Sequence, residues 1–214
     1  MSKQKKPFVV AITGASGAVY GVRLMEVLAQ AGESIAFTMS NPAKTVIQEE
    51  MGINLGHLEN PDLYRLWQPE ILKQITYYHH GDFTAPIASG SYPTKGMFVV
   101  PCATTSLARI ATGISQTLVE RAAECIIKEG RKLVLVPRET PLSAIHLENM
   151  LKLARLGVHI VPAMPGFYAG LKDIQETVDF VVGKALDVMD VPHSLFRRWI
   201  GSVRSEDYQN FEKH

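Results

Sequence analysis

Apolar residues in this chain fall into short unbroken runs, separated by segments in which they recur every three or four positions. That alternation is the pattern of a parallel sheet whose strands are joined by helices. Residues 8–13 (FVVAIT) form the first run, closed by Gly14, and predict a buried strand. From residue 19 to 31 the spacing turns helical and stops at Gly32, a residue suited to a helix end. Residues 34–39 (SIAFTM) predict a second strand, and 42–51 a second helix with Ser40 or Asn41 as N-cap and proline in its first turn. Residues 97–101 (MFVVP) predict another strand, followed by helical stretches over 105–111 and 117–129, the latter ending at Gly130. A strand at 132–136 (KLVLV), a helix over 143–156 capped by Gly157, and a strand at 158–162 (VHIVP) come next. Ile174, Val178, Val181, Val182, Ala185, Leu186 and Met189 mark the apolar face of a final helix.

Five strands with intervening helices imply an α/β fold: a three-layer, doubly wound, mainly parallel sheet of the Rossmann or flavodoxin-like kind. No repeat, low-complexity tract or linker divides the chain, so residues 1–214 are expected to form one domain with a helical tail from about residue 190. Only residues 52–95 lack a clear period. They suggest a helix near 62–74 and a long loop at 84–95, the kind of segment that often serves as a lid.

Composition narrows the field by exclusion. A formal net charge of +1 over 214 residues gives no footprint for nucleic acid or an anionic membrane, so any anion site must be a local cluster. No apolar run reaches the roughly 18 residues of a membrane span. Residues 1–6 are polar and basic, unlike a signal peptide, and a cytoplasmic protein is expected. Cys102 and Cys125 are too few for a disulfide framework or a cysteine zinc site. His79, His80 and Asp82 have ligand chemistry but no spaced partner motif, so no metal is expected.

Candidate chemistry begins at Thr13-Gly14-Ala15-Ser16-Gly17-Ala18-Val19-Tyr20-Gly21, which follows a strand and opens a helix. Backbone N–H groups and the helix dipole favour an anion at such a turn. The spacing is G-x-x-G-x-x-x-G rather than G-x-G-x-x-G, and the second strand ends in Ser40-Asn41 without the carboxylate that holds a dinucleotide ribose. A mononucleotide such as FMN fits better than NAD, with Ser16 at the phosphate or ribityl chain and Ser40 near the ring or ribityl. Ala103, Thr104, Thr105 and Ser106 end another strand before a helix; their hydroxyls are either flavin ligands or plain N-caps. Arg138 and Glu139 leave a strand at its carboxyl end, where doubly wound sheets bind ligands. Arg121 and Lys128 share a helix face, and Tyr168 and Lys184 follow the last strand. Cations and a phenol of this kind suit a phosphate, although for each taken singly a solvated surface group is the favoured reading.

The stretches TGASGAVYG, PCATTSL, RAAECIIKEGRKLVLVPRETPLSAIHLENM and PAMPGFY together resemble the UbiX-type flavin prenyltransferases, including those that accompany phenolic-acid decarboxylases. The resemblance covers nearly the whole chain and is weakest over residues 52–85. It implies metal-independent transfer of a dimethylallyl group from its phosphate ester to N5 and C6 of reduced FMN. It also implies a homododecamer with sites at subunit interfaces, and delivery of the prenylated flavin to a UbiD-type decarboxylase. Carried over by residue, Gly14, Ala15, Ser16, Ser40, Ala103, Thr104, Thr105, Ser106 and Arg138 fall on FMN contacts. Tyr168 and Lys184 fall on prenyl-phosphate ligands, with Arg121, Lys128 and Glu139 lining the same pocket and Glu50 implicated in later steps. Tyr92 and Trp199 would supply aromatic walls.

Departures are few. The mid-chain loop of the family usually reads S-[MI]-K-T, so Ala103-Thr104-Thr105-Ser106 removes a lysine near the flavin. Lys184 stands where arginine is also seen, keeping the charge without the bidentate fork. Rival readings are a flavin-dependent cysteine decarboxylase, direct decarboxylation of phenolic acids, and a flavin-binding protein without chemistry. The P-x-M-N-x-x-M-W stretch of the first is missing here.

Overall fold

In the computed structural model, which describes residues 5–199, the apolar runs become strands buried on both faces. These are Phe8–Ile12 (β1), Ile35–Met39 (β2), Gly96–Cys102 (β4) and Leu133–Pro137 (β5). Two short half-exposed strands, Ile75–Tyr77 (β3) and His159–Ile160 (β6), stand at the edges. Every pairing is parallel, in the order β3-β2-β1-β4-β5-β6. That is the order of a doubly wound Rossmann sheet, whose progression reverses between β1 and β4 and opens a crevice beyond their carboxyl ends.

Helices Ala18–Gln30 (α1), Asn41–Met51 (α2) and Ile174–Val188 (α7) cover one face of the sheet. Thr104–Thr112 (α4), Leu118–Lys128 (α5) and Ala144–Arg155 (α6) cover the other. Side-chain alternation divides β1 between the layers: Phe8, Val10 and Ile12 join Leu24, Leu28 and Val181, while Val9 and Ala11 join Leu107, Ala122 and Ile126. Gly21 allows α1 to lie close on the sheet, since a Cβ there would come within 2.3 Å of the Val100 carbonyl oxygen.

Residues 52–95 depart from expectation. The helix foreseen over 62–74 is a 3-10 turn at Leu63–Arg65 and a four-residue helix, Pro69–Leu72 (α3). Pro69 explains the break, because proline disfavours helical backbone in the residue before it. The sixth strand, β3, follows directly, and the strand foreseen at 158–162 shortens to β6. The 84–95 segment is tied down rather than free. Ile87 and Ala88 are buried, and Arg131 donates to the carbonyls of Gly90 and Tyr92 at 2.7 and 2.8 Å. Residues 191–199 are not helical, so the tail expected from about 190 does not form there; residues 200–214 lie outside those described.

Candidate active site

The crevice at the switch point is fastened by a residue the sequence reading passed over. Thr13 is fully buried; its hydroxyl donates to the Pro101 carbonyl at 2.8 Å and accepts from the Ala103 amide at 2.7 Å. One side chain thus joins the loops leaving β1 and β4 and sets their spacing. A hydroxyl closing an otherwise apolar strand was the available signal.

Around that staple stand the predicted flavin contacts. Gly14 packs against Pro42, where a Cβ would lie 2.3 Å from the proline ring carbon, so the turn seats against the start of α2. Ser40 caps α2, its Oγ accepting from the Ala43 amide at 3.3 Å, which leaves its own proton free to donate. Ala103 precedes α4 without any side-chain cap, leaving the helix N-terminus available to an anion or a flavin edge, with Thr104, Thr105 and buried Ser106 in its first turn. Arg138 crosses from the end of β5, its Nε donating to the Ser16 carbonyl at 3.4 Å.

Glu50 changes the picture of the glycine turn. The Gly17 amide donates to both its carboxylate oxygens at 3.0 and 2.9 Å, and the Ala18 amide to one of them at 3.0 Å. The anion on the first amides of α1 is therefore the chain's own carboxylate. The phosphate contacts expected from the resemblance are Gly14, Ala15 and Ser16; the next two amides hold Glu50 instead, which sets its carboxylate next to that turn. Tyr20 lies in the same corner: its half-buried phenol is made less acidic by burial and by Glu50, with Arg138 opposing. Neither Tyr20 nor the Glu50 contact was read from sequence, because both depend on α2 returning to α1.

A second group adjoins the crevice. Pro137, Arg138, Glu139, Pro162 and Met164 line a small cavity of about 50 Å³. Pro162 and Met164 also border an open groove of about 330 Å³ that holds Phe180, Lys184 and Asp187. Tyr168 meets Phe180 edge-on at 5.9 Å and Trp199 at 6.0 Å. Glu139 and Lys184 thus border neighbouring cavities, and Tyr168 and Trp199 are linked to the second of them through Phe180.

Arg121, Lys128 and Tyr92 do not join them. Arg121 Nε donates to the Ala88 carbonyl at 3.0 Å and pairs with Glu124 at 3.0 Å. Lys128 pairs with its neighbour Glu129 at 2.6 Å, close to Gly90, and the Tyr92 carbonyl is held by Arg131. Lys128 lies before β5 and Glu139 beyond it, so the length of that strand, about 17 Å for five residues, separates them. The single pocket expected for Arg121, Lys128 and Glu139 is not formed within one chain.

Among the described residues, no group of three or more His, Cys, Asp or Glu side chains is placed to hold a metal ion. None of their helices is long and apolar enough to cross a membrane. Hydroxyls, an uncapped helix end and a guanidinium without a ribose-reading carboxylate on β2 form a donor set that fits a flavin mononucleotide.

A family model described as Flavoprotein matches residues 1–186. The flavin prenyltransferase UbiX of Halalkalibacterium halodurans is 45% identical over 201 residues, covering 93% of this chain and 96% of that protein. The chain belongs to the UbiX-type flavin prenyltransferases. Among solved members, AnUbiX (PadA1) in complex with FMN and dimethylallyl pyrophosphate superposes with a TM-score of 0.81 at 36% identity, covering 92% of this chain and 99% of that one. A dodecameric FMN-dependent UbiX-like decarboxylase from Escherichia coli O157:H7 also gives 0.81, at 41% identity over 91% of this chain and 100% of the other. Family membership accounts for the Rossmann sheet and for the clustering of loops at its switch point.

Proposed function

We propose that this chain is a flavin prenyltransferase that joins a dimethylallyl group to N5 and C6 of reduced FMN and passes the product to a UbiD-type decarboxylase. The observation that carries the reading is the adjacency of the flavin crevice to two further cavities. Arg138 turns to the glycine turn while its neighbour Glu139 lines a small cavity, and Pro162 and Met164, which border that cavity, also border the groove that holds Lys184.

In this scheme Ser16, Ser40, the 103–106 turn and Arg138 hold the flavin. Lys184 and the Tyr168 hydroxyl donate to the phosphate whose carbon–oxygen bond breaks, stabilising the leaving group as charge develops on it. Trp199 and Tyr168 present π faces to the allylic cation. Glu50, fixed by two amides, supplies a carboxylate near the glycine turn for the later steps.

Assembly completes the site. Arg121 and Lys128 are proposed to serve the Glu139 pocket of a neighbouring subunit in a homo-oligomer, taken as a dodecamer. Ile145, Leu147, Leu151, Leu156, Met164 and Phe167 are exposed, an apolar surface of the kind that marks subunit contacts.

The test is anaerobic incubation with reduced FMN and dimethylallyl monophosphate or diphosphate, followed by mass spectrometry of the released flavin. Gain of one C5H8 unit, lost in Lys184→Ala protein, is the expected result. Unmodified FMN with both donors would sink the reading, and carbon dioxide release from an aromatic acid by this chain alone would favour direct decarboxylation.

A further inference from the structure

The charged groups of the α7 groove converge on a residue with no role so far. Arg198 donates to Asp187 from both guanidinium nitrogens, Nη1 at 2.8 Å and Nη2 at 2.7 Å. His193 Nε2 lies 3.0 Å from the same carboxylate and Lys184 Nζ 3.8 Å from it. Burial pushes the Asp187 carboxyl up, but the hydrogen bonds from Arg198 and His193 outweigh it and hold the group below the ordinary carboxylate range.

One turn earlier on α7, Gly183 makes room for the segment that carries these partners. A Cβ there would fall 2.6 Å from both the His193 and the Phe196 rings. Phe196 packs on Phe180 at 4.8 Å between ring centroids, and the Arg198 guanidinium lies 5.1 Å over the Phe196 ring. Phe180 meets Tyr168, which meets Trp199, so the chain of rings closes at the substrate groove.

We propose that residues 193–199 are a strap docked in the Gly183 notch, and that Asp187 is the positioning residue that clasps it, setting Trp199 against Tyr168 beside Lys184. The chemistry is consistent on two counts. A lone carboxylate beside a phosphate site would repel the substrate, and the bidentate pair with Arg198 offsets that charge. At 3.8 Å, Lys184 makes no short hydrogen bond to Asp187, so its ammonium protons remain for the phosphate. The role toward the prenyl donor rests on the prenyl-transfer reading; the docking of the strap does not.

Two measurements on the full chain separate those parts. Time-resolved fluorescence anisotropy reads the mobility of Trp199, with Trp199→Phe protein identifying its share against buried Trp67. Asp187→Asn and Arg198→Gln should each add a fast depolarising component. Steady-state prenylation should show a KM for dimethylallyl monophosphate raised about tenfold by either change, with FMN affinity unaltered and partial recovery in Arg198→Lys. Unchanged anisotropy in both variants overturns the strap. Increased mobility with an unchanged KM overturns the positioning role. A wild-type protein that forms no prenylated flavin removes the donor role together with the prenyl-transfer reading, and leaves the docking to stand or fall on anisotropy. Arg198→Gln, at the half-exposed end of the pair, keeps the test available if Asp187→Asn does not fold.

Discussion

The crevice at the β1–β4 switch point and the outer face of α5 both carry residues suited to phosphate, yet they are built on different terms. In the crevice each group arrives from a strand end: Thr13 and Ser16 after β1, Ser40 after β2, Ala103 after β4, Arg138 after β5. Their positions follow from strand order, and buried hydrogen bonds such as those of Thr13 fix them further. On α5, Arg121 and Lys128 are paired with Glu124 and Glu129 through partly exposed contacts. Such solvent-screened pairs hold weakly, so re-pairing with another subunit's groups meets small resistance. Strand topology specifies the first set, whereas the second has a target only under the proposed assembly.

The sharpest way to break that contrast is complementation. Glu139→Gln and Lys128→Met should each lower prenyl transfer by more than about a hundredfold, as loss of a preorganised charged group does. If one subunit supplies Glu139 and its neighbour Lys128, co-expression of the two variants restores about a quarter of the sites by random pairing. Mixed oligomers as inactive as either parent would place both residues in the same subunit's site.

Next in size is the packing on which the crevice depends. A methyl group at Gly21 would meet the Val100 carbonyl and the Ile12 side chain, pushing α1 off β1 and β4. Gly21→Ala should lose about 3 kcal/mol in urea unfolding, at the upper end for overpacking. A smaller effect is expected for Glu50→Ala. Removing the carboxylate from the first amides of α1 should destabilise by about 1 kcal/mol, with Glu50→Gln milder, since a neutral amide oxygen still accepts. No change in stability would mean that water replaces Glu50 at those amides without loss.

What sequence made legible follows the same division. The four central strands and their helices were readable because each strand is buried on both faces and each helix break falls at glycine or a cap. β3 was not, because three half-exposed residues at a sheet edge leave no apolar run. Ser40 as the α2 cap was legible from its place before Pro42, while Glu50 on the amides of Gly17 and Ala18 was not, because that contact spans 33 residues and depends on helix direction. The Asp187–Arg198 clasp was hidden for another reason: the two residues share no element, and only the notch at Gly183 brings the strap back to α7. Lys128 was grouped with the Arg138–Glu139 stretch on charge, and with Glu139 in one pocket by resemblance, but the chain by itself separates them.

The smallest expected effect concerns Cys102. Cys102 ends β4 directly before the 103–106 turn, a place in the chain that invites a nucleophilic role, but its side chain is fully buried in the core beneath α4. Burial first, and the nearby Glu120 second, push its thiol up to about 12, against a weaker lowering by the Leu107 amide. A raised thiol pKa keeps the group neutral from acid through physiological pH and leaves little thiolate until the solution nears that value. Iodoacetamide at pH 8 should therefore leave Cys102 unmodified in the folded protein, and Cys102→Ala should hold prenyl transfer within about twofold. Denaturant should expose it at once, which separates a buried thiol from an unreactive one. Rapid alkylation of Cys102 in native protein would place a thiolate beside the Thr13 staple, and the contrast between positions fixed by buried contacts and positions left to exposed ion pairs would have to be redrawn.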